Sequence, residues 1–279
     1  MKCPTCASEV YPGPTCSACG AALPVMAEPA GAPVLATTPA GAGLRYQLVG
    51  GNAFAAARVE LAPGQAVKAE AGAMVSMSGS IDLQSQLSGG VMGALKRMVT
   101  RESLFVSTFT AVGAPGEVIL APPVPGDVIG VDLAGRALLV QSSSWLASEP
   151  TVSVDSEFAG FRGLFAGEGL FFIRLSGAGL ALLSSFGAIV RRPLPAGSRY
   201  LVDTGHVVAF DARIPYQVRK ASRRGWMRSL LSGEALVVEF TGPGDVWLQT
   251  RNLRSLAGAL FPLFPSQGQG GGWSQVLGD

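Results

Sequence analysis

Histidine is almost missing from this 279-residue chain, with His206 the single one. One imidazole cannot supply the several ligands of a cupin-type metal cluster, so that chemistry is excluded. Charge is also scarce: 14% of residues are Asp, Glu, Lys or Arg, and the net charge is +2. That balance is too weak to make nucleic acid the default partner, and any basic patch must be local. All four cysteines fall between positions 3 and 19, which leaves no Cys–His pair for nucleophilic chemistry elsewhere. No Ser–His–Asp arrangement stands out either, so a non-enzymatic protein is expected. Long apolar runs are missing as well. The best candidate span, Gly169 to Val190, is broken by Arg174, four glycines and three serines. It falls where the other repeats carry strand-like segments, and the pattern predicts a β-hairpin there rather than a membrane helix. The start, Met1-Lys2-Cys3-Pro4, has no apolar core of a secretory leader. A cytoplasmic protein is expected.

What the chain does have is apolar residues (48%) and 37 glycines, a composition suited to short buried strands joined by tight turns. The cysteines form two C-x-x-C pairs, Cys3-Pro4-Thr5-Cys6 and Cys16-Ser17-Ala18-Cys19, with nine residues between them. Each two-residue spacer lets both sulfurs of a pair reach one ion with tetrahedral geometry, and Gly20 permits the positive φ such a knuckle often needs. Disulfides need an oxidising compartment, for which nothing argues. A thioredoxin-like redox pair would need a surrounding βαβ pattern, which is not seen. Cys3, Cys6, Cys16 and Cys19 are therefore expected to hold one structural zinc ion in a closed site that supplies most of the folding energy of a ribbon over residues 1–20. From Ala21 to Gly43 the chain is rich in Ala, Pro and Gly with the single charge Glu28, which reads as a tether. Residues 266–279 form a Gly-rich tail that contains Trp273.

The body between them repeats. Glu102-Ser103-Leu104-Phe105, Glu168-Gly169-Leu170-Phe171 and Glu234-Ala235-Leu236-Val237 begin 66 residues apart, and each leads into an apolar stretch, a Gly turn and a second apolar stretch. The turns Gly177-Ala178-Gly179 and Gly242-Pro243-Gly244 are read as hairpin turns, with no helix signal after them for a phosphate loop. Earlier in each unit, Pro63-Gly64 through Gly72, Pro125-Gly126 through Gly135 and Pro195-Ala196-Gly197 through Gly205 are aligned with one another as turn, strand, Gly turn, strand. Alternation in Tyr200-Leu201-Val202 and in Leu236 to Phe240 favours half-buried antiparallel strands. Three such units predict an all-β body that closes into a pseudo-threefold barrel or prism and so removes its exposed edges.

Between the halves of each unit lie segments mixing large apolar and basic residues. They contribute Lys96 and Arg97, then Phe161 and Arg162, then Arg223, Arg224, Trp226 and Arg228. These are read either as amphipathic plugs at one end of the body or as a rim that meets a partner protein or an anionic membrane surface.

Gly167 to Phe171, Val202 to Phe210 and Phe240 to Asn252 resemble the altered-inheritance-of-mitochondria 24 family, over roughly Leu44 to Pro265. The resemblance implies a TRAP-like β-prism related to the double-stranded β-helix. Mitochondrial members of that family are linked to inner-membrane organisation, while bacterial members are largely of unknown function. This chain departs from the simplest members by its four-cysteine module and linker, which suggests a tethered or scaffolding role.

His206 follows a Gly turn at a strand start, flanked by Asp203 and Asp211, and is read as a hydrogen-bonded turn residue, with Ala73 and Arg136 as its counterparts. Glu102, Glu168 and Glu234 either accept backbone N–H groups or arginines, or converge on the pseudo-axis and chelate a cation. The expected function is a scaffold or adaptor with a protein partner. RNA binding and peripheral membrane association are the alternatives, and homo-oligomerisation stays open.

Overall fold

The computed structural model describes residues 5–6, 18–19, 21, 43–51, 53–87, 105–155, 171–220 and 236–264. The chain divides into two compact units, Met1–Val34 and Leu35–Asp279. In the second unit a leading strand, β1 (Arg45–Val49), precedes three sets of six strands. The first set is β2 (Ala56–Leu61), β3 (Ala66–Glu70), β4 (Met74–Met77), β5 (Ile81–Leu87), β6 (Phe105–Ala111) and β7 (Gly116–Leu120). The second is β8 (Val128–Asp132), β9 (Leu138–Gln141), β10 (Trp145–Ser148), β11 (Val152–Asp155), β12 (Phe172–Gly177) and β13 (Leu180–Ser184). The third is β14 (Ile189–Leu194), β15 (Arg199–Asp203), β16 (Val207–Asp211), β17 (Tyr216–Lys220), β18 (Leu236–Thr241) and β19 (Gly244–Gln249). A helix, α1 (Leu253–Leu260), and a short 3-10 turn, Phe261–Leu263, follow.

All strand pairing is antiparallel, in four open sheets: β1-β2-β7-β4, β5-β6-β3-β10-β13-β8, β11-β12-β9-β16-β19-β14 and β15-β18-β17. Each six-stranded sheet joins three strands of one repeat to three of the next, with β10 against β3 and β16 against β9 at the seams. Two of the four seam strands, β10 and β16, are covered on both faces, so they read as near-continuous buried runs rather than alternating ones. Trp145-Leu146-Ala147-Ser148 is buried throughout, as is Val207 to Phe210. Strands covered on one side alternate instead, as in Ala56–Leu61 and Ala66–Glu70.

Three expectations change. The stretch from Phe172 to Ser184 is two strands around a glycine turn, but they are not a hairpin. β12 pairs with β9 and β11, whereas β13 pairs with β8 and β10. Gly177-Ala178-Gly179 is a corner between two sheets, with Gly177 at φ +115° and Gly179 at φ +139°, and Gly242-Pro243-Gly244 makes the equivalent corner from β18 to β19. The second repeat is also shifted relative to the sequence alignment. Gly135 lies between β8 and β9, so its counterparts are Gly64, between β2 and β3, and Gly197, between β14 and β15. All three have positive φ, and their N–H groups donate to equivalent corner carbonyls: Ala111 at 2.8 Å, Gly177 at 3.1 Å and Gly197's partner Gly242 at 3.0 Å. Finally, no sheet closes on itself: β4 pairs only with β7, and β15 only with β18, among the described residues.

A side-chain oxygen at the end of each seam-type strand holds the same backbone donor. Ser78 Oγ accepts from Glu117 N–H, Glu149 Oε2 from Leu180 N–H, and Asp211 Oδ2 from Asp245 N–H, at 3.0, 2.7 and 2.7 Å. These bonds tie the corner to the last strand of each repeat.

A Cβ added to Gly177 would stand 2.5 Å from the Thr151 carbonyl oxygen, on a backbone with φ +115°. Gly177→Ala should cost roughly 1–3 kcal/mol of unfolding free energy, read as a lower urea midpoint with an unchanged slope.

Candidate functional site

Among the described residues, a dense charged cluster lies where the third repeat meets the turn between β8 and β9. Trp247, on β19, presents its ring to two guanidinium groups, Arg136 at 5.8 Å and Arg191 at 5.9 Å from the centroid. Arg191 stands directly opposite Trp247 in the β14–β19 register. Its Nε and Nη2 donate to the two oxygens of Asp245, at 3.1 and 2.7 Å. Asp245 is 9% exposed. Arg136 Nη1 sits 3.7 Å from both Asp245 Oδ2 and Asp211 Oδ1. Asp245 beside Arg191 shifts the guanidinium pKa further upward, so it stays charged. Two arginines and two aspartates thus cancel over one indole. The positions matching Trp247 in the other repeats are Leu182 and Ile119, by the shared register opposite Ala209, Ala147 and Ser76, so this cluster occurs in one repeat only.

A second cluster lies on the three-stranded sheet. Glu239 on β18 accepts from Arg219 Nε at 2.7 Å and also from Arg199. These are the diagonal cross-strand neighbours that a pleated surface brings together. The two arginines hold the Glu239 carboxyl below its usual range. On the first sheet, Arg45 pairs with Glu60 and Arg58 with Glu117. Arg45, Arg58, Arg191, Arg199 and Arg219 are thus matched to carboxylates, whereas Arg192 lies over the Tyr200 ring, 5.6 Å from its centroid.

His206 ends a 3-10 turn, Thr204–His206, whose preceding Asp203 accepts from Gly205 N–H at 2.8 Å. The imidazole Nδ1 is 2.7 Å from the Gln249 carbonyl oxygen, and Gln249 Nε2 donates to Gly205 O at 2.9 Å. The ring is a clasp between the start of β16 and the end of β19, consistent with its reading as a hydrogen-bonded turn residue. Of its two expected counterparts, Ala73 precedes β4 as His206 precedes β16, whereas Arg136 belongs to the β8–β9 turn and Ser144 takes its place. Cys6 and Cys19 each lie in an exposed turn, at the second cysteine of each pair. Cys3 and Cys16 lie outside the described residues. So do Lys96, Arg97, Phe161, Arg162, Arg223, Arg224, Trp226, Arg228, Trp273 and the three repeated glutamates. The chain positions of those basic segments are nonetheless equivalent, between β5 and β6, β11 and β12, and β17 and β18. Sequence reasoning missed the Trp247 cluster, because the pairing of Arg191 with Trp247 is set by the β14–β19 register.

The family described as mitochondrial biogenesis AIM24 matches residues 46–251, and the chain belongs to that family. An uncharacterised protein of Streptococcus pyogenes serotype M6 is 28% identical over 232 residues, which is 80% of this chain and 92% of that protein. The crystal structure of a Streptococcus pyogenes protein superposes with a TM-score of 0.67 at 28% identity, covering 79% of this chain and 100% of the other.

Glu70, at the end of β3, is the one carboxyl among the described residues that the fold pushes strongly upward: burial raises its pKa from 4.5 to about 7. Between those values the folded protein keeps a proton that the unfolded chain has released, so stability falls as pH rises through that interval and is level above it. Glu70→Gln should abolish that slope and raise stability at about pH 8 by roughly 1–3 kcal/mol, measured by denaturation across pH.

Proposed function

We propose that this AIM24-family chain is a non-enzymatic scaffold: a pseudo-threefold β-prism body that docks a protein partner and carries a tethered zinc ribbon. The observation that carries the docking part is the C-terminal helix. Asn252 caps α1, its Oδ1 accepting from Arg254 and Ser255 N–H at 2.9 and 3.4 Å. Leu253, Leu256 and Leu260 then form a row along one face, continued by Phe261, Leu263 and Phe264, and all six are exposed. A row of this size left in water marks an interaction surface. The prism reading is supported by the two six-stranded sheets that span successive repeats, with four- and three-stranded sheets in the remaining position.

The zinc reading is supported by the turns at Thr5-Cys6 and Ala18-Cys19, the conformation a two-residue spacer needs to aim both thiolates of a pair at one ion. Cys3, Cys6, Cys16 and Cys19 would hold the ion, whose role would be to fold the module rather than to react. A peripheral membrane role is the second reading, favoured by Arg251 and Arg254 beside the same apolar row and by the lack of any acidic residue from Thr250 to Phe264. No helix among the described residues is long and apolar enough to cross a membrane.

Metal analysis of protein purified anaerobically without chelator should find one zinc per chain, lost in Cys6→Ser with Cys19→Ser. Metal-free wild-type protein would end the zinc reading. Partners retained by the full chain from its native cell should be depleted both by Leu256→Asp with Phe261→Asp and by removal of residues 1–43. Undiminished recovery with both variants would overturn the scaffold reading. Flotation with anionic vesicles, lost in the helix variant, would instead assign the apolar row to a membrane surface.

A further inference from the structure

We infer that residues 273–276 of this chain add to the free edge of β14 as an antiparallel strand, giving the third repeat the edge partner that β1 gives the first. The first strands of the three repeats are β2, β8 and β14. Among the described residues β2 lies between β1 and β7, whereas β8 pairs only with β13 and β14 only with β19. The shared register makes Arg58, Gly130 and Arg191 equivalent, because they oppose Ile119, Leu182 and Trp247.

Two of these three positions are filled on their outer side. Gln47 of β1 opposes Arg58. The Tyr46 hydroxyl is hydrogen-bonded to the Gly130 backbone, and a Cβ on Gly130 would collide with that hydroxyl. Backbone groups alternate sides along a strand: the Ala188 carbonyl accepts from Thr250 N–H towards β19, whereas Ile189 N–H points away, to Asp127. Arg191 therefore turns its N–H and C=O to the open side, where no strand lies among the described residues. Burial follows the same order. Ala57 and Val59, on either side of Arg58, are 0% exposed, while their counterparts Val190 (47%) and Arg192 face solvent.

The chain carries the β1 pattern a second time, near its other end. Arg45-Tyr46-Gln47-Leu48-Val49-Gly50 places a glutamine, two aliphatic residues and a glycine in succession, and Trp273-Ser274-Gln275-Val276-Leu277-Gly278 does the same. Both stretches are rich in residues that suit a half-buried pleated surface. The later one is also within reach. β19 delivers the chain beside the start of β14, where Thr250 N–H donates to Ala188 O at 3.0 Å. After α1 and its 3-10 turn, the eight residues 265–272 span at most about 26–29 Å, against about 20 Å for the length of β14.

β1 dictates the register. Arg45, Tyr46, Gln47 and Leu48 oppose Glu60, Val59, Arg58 and Ala57. Aligned on the glutamines, Trp273, Ser274, Gln275 and Val276 oppose Pro193, Arg192, Arg191 and Val190. Val276 then covers the exposed Val190, and the indole of Trp273 lies beside the exposed Pro193 ring. Pro193 brings a carbonyl but no N–H, so this ladder has one bond fewer than that of β1, a loss that an edge strand tolerates. Asp127 Oδ2 already holds the Ile189 N–H at 3.3 Å, so the pairing ends at Val190.

Hydrogen exchange followed amide by amide should find Arg191 and Gln275 protected in the full chain. Gln275→Pro removes a ladder donor, and should speed exchange at Arg191 by roughly tenfold or more while leaving Val140 at the second seam unchanged. Independently, a chain carrying Arg192→Cys and Ser274→Cys should close a disulfide within itself under mild oxidation, placed at 192 and 274 by peptide mass spectrometry. Adding Gln275→Pro should slow that closure. An Arg191 amide indifferent to Gln275→Pro, a Ser274→Cys that joins Asp132→Cys on β8 as fast as Arg192→Cys, or a 192–274 join found only between two chains would each overturn the inference.

Discussion

The structure depends on the backbone ladder across each repeat seam. A six-strand repeat of this kind cannot bury its apolar faces alone: β8, β13 and β10 form half a sheet, and β3, β6 and β5 of the preceding repeat form the other half. Pairing β10 with β3 satisfies the N–H and C=O groups of both edges and places Leu146 and Ala147 in the neighbour's core. The same arrangement at β16 and β9 carries Val208 and Ala209 into the second cluster. Stability in such an array is a sum of intrinsic repeat terms and seam terms, and the outermost edges are left to be capped or used.

Two smaller devices recur in all three repeats and keep the corners in register. A positive-φ glycine, at 64, 135 and 197, turns the chain and donates to the corner carbonyl at Ala111, Gly177 and Gly242. A side-chain oxygen from Ser78, Glu149 or Asp211 accepts an N–H at the start of the last strand. The residue type varies while the bond persists, because the geometry needs only an acceptor. In the third repeat the acceptor is Asp211, whose other oxygen reaches toward Arg136, so a corner bond has grown into the charged cover over Trp247. Function is more readily sought in such departures between repeats, and in the exposed row of α1, than in what all three share.

The all-β class, the glycine turns and the approximate period were legible from alternation and spacing alone. The alignment of the second repeat was not, because Ala71-Gly72 and Ala134-Gly135 are the same dipeptide at two different corners, and only strand pairing tells them apart. The hairpin reading of Phe172 to Ser184 failed for a related reason: apolar strand, glycine turn, apolar strand is equally the pattern of a corner whose arms enter different sheets. His206 was readable because a histidine after a glycine at a strand start has backbone acceptors within reach, and Gln249 supplies one. The Trp247 cluster was not, since Arg136 lies more than a hundred residues from its aromatic partner.

By itself the sequence determined that this chain builds β-strands three times over, with a four-thiol module and a Gly- and Pro-rich stretch ahead of them. Those properties follow from local chemistry: side-chain alternation, the conformational freedom of glycine and the reach of a C-x-x-C turn. Only the tertiary structure decided which strands become neighbours, that sheets are shared between successive repeats, and that β4 and β15 pair on one side only among the described residues. Strand pairing is a long-range choice among edges of similar composition, and nothing local to Met74-Val75-Ser76-Met77 distinguishes a buried seam from an open one.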